Sequence, residues 1–161
     1  FGSWYYASLS VGWSPAIYHE VFLPSVAAHV ALCHEYGALY DYYDDGHVMG
    51  IAEAVAGAGV DVFQTLTPPP VGDADLAELK RRIGDRVCLK GYVDLLYVIK
   101  HGTPELVTNT VREALAVAGP RGFILGTSDS VREGTPRANV EAYFQAAREY
   151  GRVAAATGVW Q

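Results

Sequence analysis

The side chains best suited to chemistry lie in short polar loops that follow apolar stretches of the chain. The first group is Asp41, Asp45 and His47, around a turn at Gly46. Side chains two residues apart in a strand point the same way, so Asp41, Tyr43 and Asp45 share one side. Clustered carboxylates beside a His suit general acid–base chemistry. We therefore predict Asp41, Asp45 and His47 as catalytic acid–base groups.

Three more apolar stretches end in polar residues. One runs from Val60 to Leu66 with Gln64 near its end, one reaches Asp94, and one leads into a polar loop at Gly126. Asp94 is predicted as a fourth catalytic group. The residues predicted to bind substrate are Tyr43, Gln64, Tyr92, Thr127, Ser128 and Asp129.

A metal site is an alternative use of Asp41, Asp45 and His47. Carboxylate-rich ligation suits a hard divalent ion or a weak zinc site. The competing interpretation is a solvated acidic loop beside a surface His. The sequence leaves the cofactor unknown, with zinc or another divalent metal as the candidate.

Four strand-then-helix units position these loops. The apolar runs predict strands at residues 38–45, 60–66, 86–94 and 123–125, and a long helix capped by Ser14-Pro15 precedes them. Thr103-Pro104 and Thr135-Pro136 open later helices, because Thr is a good N-cap and Pro suits the first helical position. Asp73 is predicted to cap the second of the four unit helices.

Alternating strands and helices predict an α/β fold with a mainly parallel sheet. In such folds the chemistry lies at the carboxyl ends of the strands. Those ends are the polar ones here, whereas the opposite ends carry little beyond glycines that end helices. We therefore expect one shared site, in one domain over residues 1–161.

The composition narrows the partners and the compartment. The net charge is −6, the pI is about 5.2 and no Lys/Arg run exceeds the three residues Lys80-Arg81-Arg82, which argues against nucleic acid. No apolar run approaches about 18 residues, so no membrane span is expected. Cys33 and Cys88 are interpreted as free thiols in a reducing cytoplasm. Residues 1–13 predict either an irregular, aromatic-lined loop or the end of a strand.

Four phrases, in this order, carry a family resemblance. They are Ser14-Pro15 with the helix through Leu23-Pro24; AGAGVD at 56–61; Gly91-Tyr92-Val93-Asp94 with Gly102-Thr103-Pro104-Glu105; and Gly126 followed by Thr135-Pro136, Asn139-Val140 and REYG at 148–151. Over roughly residues 13–150 the chain resembles the carboxyl-terminal half of the uroporphyrinogen decarboxylase superfamily. That superfamily includes the decarboxylase of haem synthesis and the corrinoid-linked methyltransferases.

The resemblance implies about half of a TIM-type (β/α)₈ barrel, since a full barrel needs about 250 residues. A half barrel leaves two edge strands and an uncovered core. Three interpretations follow. The chain is a fragment of a longer protein, it completes a barrel with a second copy or another chain, or it closes alone as a small doubly wound sheet.

The sequence departs from the family at functional positions. The zinc ligands of the methyltransferases align with Tyr43, Asp45 and about Thr127 or Ser128. The decarboxylase His aligns with Thr127, which does not titrate near neutrality. In the family phrase Gly-Asn-x-Asp-Pro, Asp94 is kept, whereas the Asn and the Pro are replaced.

Two functions follow from the resemblance. The first is a lyase or methyltransferase that acts on a tetrapyrrole or corrinoid-linked substrate with these groups replaced. The second is a non-catalytic binding module for a tetrapyrrole, a corrinoid partner or a small anion. Two local choices also stay open. Lys90 either pairs with Asp94 inside the barrel or lies at a strand edge, and Gly126-Thr127-Ser128 forms either an anion cradle or a structural turn.

Overall fold

The computed structural model describes residues 9–156, so residues 1–8 of the predicted aromatic loop lie outside it. Within that range the strands are β1 (Asp41–Tyr43), β2 (Val62–Leu66), β3 (Cys88–Val93) and β4 (Phe123–Thr127). The α-helices are α1 (Pro15–Glu35), α2 (Ala52–Gly57), α3 (Leu76–Ile83), α4 (Pro104–Ala118) and α5 (Arg137–Ala156), with a short 3₁₀ helix at Leu9–Val11 and a π-helix at Leu95–Lys100. The strands are all parallel, in the order β1-β2-β3-β4. The predicted α/β fold of parallel strand–helix units is confirmed.

The core lies between one face of the sheet and the helices. Tyr42, Phe63 and Leu89 point into it and are at most 1% exposed. Alternate strand residues point the other way. The opposite face carries Asp41, Tyr43, Gln64 and Lys90, which are only partly buried. We call it the inner face, because it would line the interior of a closed barrel.

The helix starts follow from local capping. The Ser14 hydroxyl accepts a hydrogen bond from the Ile17 N–H at 3.2 Å, and Pro15 occupies the first position of α1. The Thr103 hydroxyl accepts from the Leu106 N–H at 3.3 Å at the start of α4. Both predicted caps are therefore confirmed.

The cap predicted for α3 is wrong by two residues. Asp75, not Asp73, caps this helix by accepting a hydrogen bond from the Glu78 N–H at 3.0 Å. The Asp73 carboxylate instead accepts from the backbone N–H groups of Val48 at 2.7 Å and Met49 at 3.2 Å. Asp73 thus ties the chain before α2 to the loop after β2, a long-range contact that local spacing does not reveal.

Helix α1 differs from expectation in its apolar character. Among the described residues it is the one helix whose length and composition would allow it to cross a membrane, and only 17% of its most apolar stretch is buried. A core helix passes the same test, so the evidence for a span is weak. Val26 and Val30 face the core. The exposed apolar side chains on its other side, which we call the α1 flank, are Ile17, Val21, Leu32 and Tyr36.

Candidate functional site

A cavity of about 240 Å³ opens at the carboxyl ends of the strands. We call it the mouth cavity. It is lined by Ser10, Asp45, Gly46, Thr67, Val71, Asp94, Leu95, Leu96, Ser128, Asp129 and Arg132. Segments that follow all four strands contribute to it, as expected for a parallel sheet. Three carboxylates, from Asp45, Asp94 and Asp129, therefore meet around one space.

Asp45 is paired with a tyrosine of β1. The Tyr43 hydroxyl donates a hydrogen bond to the Asp45 carboxylate. Burial, followed by the negative charges of Asp45 and Asp129, raises the pKa of Tyr43 to about 12. Tyr43 is consequently a neutral donor at physiological pH. The pair therefore places a carboxylate at the mouth cavity with a neutral phenol beside it.

Ser10 clamps the turn that presents Asp45. Its hydroxyl donates to the Asp45 carbonyl oxygen at 3.1 Å and accepts from the His47 N–H at 2.8 Å. A side chain at Gly46, where φ is +91°, would come within 1.9 Å of the Ser10 Oγ atom. The His47 imidazole is exposed and does not line the mouth cavity. Sequence reasoning missed Ser10, because its partners lie more than 30 residues away.

A buried hydrogen-bond chain lies behind this turn. The Tyr18 hydroxyl donates to the Tyr42 hydroxyl at 2.8 Å, and Tyr42 donates to the Asp44 carboxylate at 3.0 Å. All three residues are at most 1% exposed. Burial, with the Asp44 charge beside it, holds the pKa of Tyr42 far above its usual range. The two adjacent acidic residues thus have different positions and contacts. Asp45 faces the mouth cavity, whereas Asp44 links β1 to α1 through Tyr42 and Tyr18.

Asp94 and Ser128 join the ends of β3 and β4. Asp94 is 3% exposed, and its carboxylate accepts a hydrogen bond from the Tyr97 N–H. The Ser128 hydroxyl accepts from the Leu95 N–H at 3.1 Å, and the Ser128 N–H donates to the Val93 carbonyl at 2.9 Å. Because that N–H is already engaged, the loop matches a structural turn better than an anion cradle.

The loop after β4 presents the third carboxylate. The Thr127 hydroxyl donates to the Asp129 carbonyl at 2.6 Å, and the Asp129 carboxylate accepts from the Ser130 N–H at 2.6 Å. Arg132 donates to the other carboxylate oxygen at 2.8 Å. No periodic or strand-end signal points to Arg132, which lies in the loop three residues beyond Asp129.

Several predicted site residues lie away from the mouth cavity. Asp41 lies on the inner face, where it forms an ion pair with Lys90 at 3.0 Å. Lys90 therefore pairs with Asp41 and not with Asp94. Gln64 also lies on the inner face. Burial raises the pKa of Tyr92, whose hydroxyl accepts a hydrogen bond from the Leu76 N–H, so Tyr92 points towards α3.

The predicted metal ligands do not come together. Residues 9–156 contain no group of three His, Cys, Asp or Glu side chains placed to hold an ion. Asp41 forms an ion pair with Lys90, and Asp45 accepts a hydrogen bond from Tyr43. The His47 imidazole is exposed. The residues present therefore do not fit the zinc or other divalent metal considered from the sequence.

The family match covers most of the chain. The model that describes uroporphyrinogen decarboxylase (URO-D) matches residues 8–150. The chain belongs to the uroporphyrinogen decarboxylase family. All eleven residues that line the mouth cavity lie within the matched range of this family.

Curated members of the uroporphyrinogen decarboxylase family are moderately similar and much longer. The uroporphyrinogen decarboxylase of Trichodesmium erythraeum is 31% identical over 108 residues, which are 67% of this chain and 28% of that protein. The methylated-thiol–coenzyme M methyltransferase of Methanosarcina mazei is 29% identical over 136 residues, 84% of this chain and 34% of that protein. The chain thus spans about a third or less of these relatives.

A solved structure shows the same fold. A methyltransferase from Methanosarcina mazei superposes with a TM-score of 0.75 at 20% identity. The superposition covers 89% of this chain and 40% of the methyltransferase. The four parallel units of this uroporphyrinogen decarboxylase family chain therefore correspond to part of a larger α/β protein.

Proposed function

We propose that this chain carries part of the mouth of a uroporphyrinogen decarboxylase-like enzyme. The reaction is decarboxylation or corrinoid-linked methyl transfer, with the usual catalytic His and zinc ligands replaced. The observation that carries the proposal is the convergence of Asp45, Asp94 and Asp129 on one cavity at the carboxyl ends of parallel strands. Family membership supports the class of reaction.

The residues divide into a proton-transfer group and a positioning group. Asp45 is the acid–base residue, because it faces the cavity and Tyr43 holds its carboxylate. Arg132 fixes Asp129 on the opposite rim. Asp94 and Ser128 hold the loops after β3 and β4 and present their remaining polar atoms to substrate. Thr127, at the position of the family's His, orders the Asp129 loop and does not titrate near neutrality.

The assembly forms the second part of the proposal. The matched structure is more than twice as long as the region it shares with this chain. We propose that this chain supplies the carboxyl-terminal half of a barrel, and that further strand–helix units from a longer chain or a second copy complete it. Exposed apolar side chains at both ends of the sheet, described below, support this arrangement.

Replacing the acid–base residue tests the enzymatic proposal. In the intact protein, Asp45→Asn keeps the side-chain shape but removes the proton-accepting group. We expect turnover of uroporphyrinogen, or methyl transfer from methylcobalamin to a thiol, to fall by at least ~100-fold. The rates are measured by product chromatography. The matched control is Asp85→Asn, whose carboxylate is 81% exposed on the turn before β3. Unchanged turnover in Asp45→Asn would reject Asp45 as the acid–base residue.

A binding module without chemistry is the second candidate. The observation that favours it is that no His or Cys lines the described mouth cavity, while Asp94 and Asp129 both engage local backbone N–H groups. Such a module would bind a tetrapyrrole, a corrinoid partner or a small anion without product. Saturable absorbance changes with a porphyrin or cobalamin, combined with no turnover of either substrate, would favour this function.

A further inference from the structure

The turn after β1 is held by side chains from other segments of the chain. The Ser10 hydroxyl donates to the Asp45 carbonyl oxygen at 3.1 Å and accepts from the His47 N–H at 2.8 Å. The Thr65 hydroxyl of β2 donates to the Asp44 carbonyl oxygen at 3.1 Å. These contacts fix the first half of the turn, from which Asp45 reaches the mouth cavity.

Asp73 holds the second half of the same turn from the loop after β2. Its N–H donates to the Gly46 carbonyl oxygen at 3.2 Å. Its Oδ1 atom accepts from the N–H groups of Val48 at 2.7 Å and Met49 at 3.2 Å. Hydrogen bonds to an ionised carboxylate are stronger than those to a neutral acceptor. Asp73 therefore contacts the turn on both sides of His47.

The backbone on either side of Asp73 is closely packed. Gly72 is buried, and an added Cβ would lie 2.4 Å from the Gly46 carbonyl oxygen and 2.2 Å from the Thr67 carbonyl oxygen. The Ala74 N–H donates to the same Thr67 oxygen at 3.0 Å. Because its neighbours are fixed in this way, Asp73 offers the turn a rigid support.

We propose that Asp73 is a positioning residue for Asp45, which sets where the Asp45 carboxylate lies in the mouth cavity. The described lining of that cavity includes Asp45 and Gly46 but not Asp73, so Asp73 acts through the turn. The inference rests on the proposed function in taking Asp45 as the acid–base residue. Reacting groups must be held to within about 0.5 Å, and a displacement of about 1 Å can slow a reaction ~100-fold.

The Tyr43 phenol provides a readout that a general loss of stability would not change, because it is measured on the folded protein. Its hydroxyl donates to Asp45, so its titration depends on where the Asp45 carboxylate lies. In the intact protein, we expect Asp73→Ala to lower the pKa of Tyr43 from about 12 by at least ~0.5. The measurement is carbon-13 NMR of labelled tyrosine rings. The His47 N–H, which Ser10 holds, should exchange with solvent at least ~10-fold faster.

Asp75→Ala is the matched control for Asp73→Ala. The Asp75 carboxylate also accepts a backbone N–H bond, from Glu78 at 3.0 Å, but this bond lies at the start of α3 and not in the turn. Asp75→Ala should therefore destabilise the protein and leave the pKa of Tyr43 at about 12. Asp73→Asn keeps an acceptor oxygen and should stay closer to the wild-type pKa than Asp73→Ala does. If Asp73→Ala does not fold, Asp73→Ser, which keeps a shorter acceptor, replaces it in the comparison.

A double-mutant cycle shows whether the effect passes through Asp45. In an Asp45→Asn background, Asp73→Ala should lower the pKa of Tyr43 by less than about half as much, because the charge that Asp73 positions is gone. An unchanged pKa of Tyr43 in the folded Asp73 variant, or an equal fall in Asp75→Ala, would overturn the inference.

Kinetics provides a second and separable test. We expect Asp73→Ala to lower kcat by at least ~10-fold with little change in KM, because Asp73 acts on the reacting group and not on substrate binding. Turnover that survives Asp45→Asn would reject the proposed function. The position of the Asp45 carboxylate is judged by the NMR readouts alone, so the two failures are distinguishable.

Discussion

At the residue scale, the pKa of Tyr43 depends on the negative charges around the mouth cavity. Its hydroxyl donates a hydrogen bond to Asp45, and the negative charge of Asp129 also raises its pKa. Burial is the largest cause of its raised pKa, and the two carboxylates add to it. The titration of this one phenol therefore shows whether the two loops come together in solution.

Removing the Asp45 charge should lower the pKa of Tyr43 from about 12. A negative neighbour disfavours the tyrosinate, so Asp45→Asn favours ionisation, while burial keeps the pKa above the ordinary value. The shift is followed by carbon-13 NMR of labelled tyrosine rings, with Tyr43→Phe identifying the signal. Asp85→Asn should have no effect. An unchanged titration in Asp45→Asn would show that the two side chains do not meet in solution.

Some site residues could be read from the sequence, and others could not. Asp45, Asp94, Ser128 and Asp129 meet around one cavity because the carboxyl ends of parallel strands share an edge. Strand alternation also gives the common side of Asp41 and Asp45. It does not show how far each side chain lies from the mouth cavity. Asp41 lies below the mouth beside Lys90, and this pairing depends on the register of the strands across β2.

At the scale of elements, the pairing of β2 with β3 is irregular. The register shifts between Phe63 and Leu66, and Thr65 and Tyr92 both have positive φ, at 61° and 90°. Such conformations cost about 1–3 kcal/mol each. The Thr65 hydroxyl donates to the Asp44 carbonyl at 3.1 Å, which links the bulge to the end of β1.

Gly91→Ala should destabilise this junction by about 1–3 kcal/mol. Gly91 has φ of +122°, and an added Cβ would lie 3.0 Å from the backbone nitrogen of Leu66. The free energy of unfolding is measured by urea denaturation. Gly151→Ala is the matched control, because Gly151 lies in α5 with no atom within 4 Å of the added Cβ. A loss no larger than in the control would contradict the proposed strain.

The order of the strands and helices could be predicted more fully than the contacts that connect them. Apolar periodicity predicted every strand–helix unit, and Ser14 and Thr103 marked helix starts through local hydrogen bonds. Asp73 and Asp75 both precede α3, and the sequence alone predicts the cap at Asp73. Only the fold shows that Asp73 is bound to residues more than 20 positions earlier.

At the scale of the whole molecule, both ends of the sheet carry exposed apolar side chains among residues 9–156. Beside β4, an apolar cavity of about 260 Å³ is lined by Ile99, Gly126, Thr127, Val131, Val140, Tyr143 and Phe144. Phe144 is 54% exposed there. At the other end, Val21 and Leu32 of the α1 flank are each 54% exposed. Two apolar edges on one domain are typical of surfaces that pack against further chain.

The isolated 161-residue chain should therefore self-associate. We expect light scattering to give a mass above the 17.4 kDa of one chain. Val21→Glu with Leu32→Glu on α1, or Phe144→Glu on α5, should shift the mass towards one chain. The exposed Val117 of α4, a helix with neighbours on both sides, gives the control Val117→Glu. A monomeric wild-type chain would contradict the prediction.

The polar inner face has a consequence for how the protein tolerates change. The buried core contains Tyr42, Phe63 and Leu89, whereas Gln64 on the inner face lies outside it. Alternate positions along the same strand therefore have different surroundings, the helix-packed core on one side and the inner face on the other. We expect exchanges of inner-face side chains to disturb the fold less than exchanges of the core side chains.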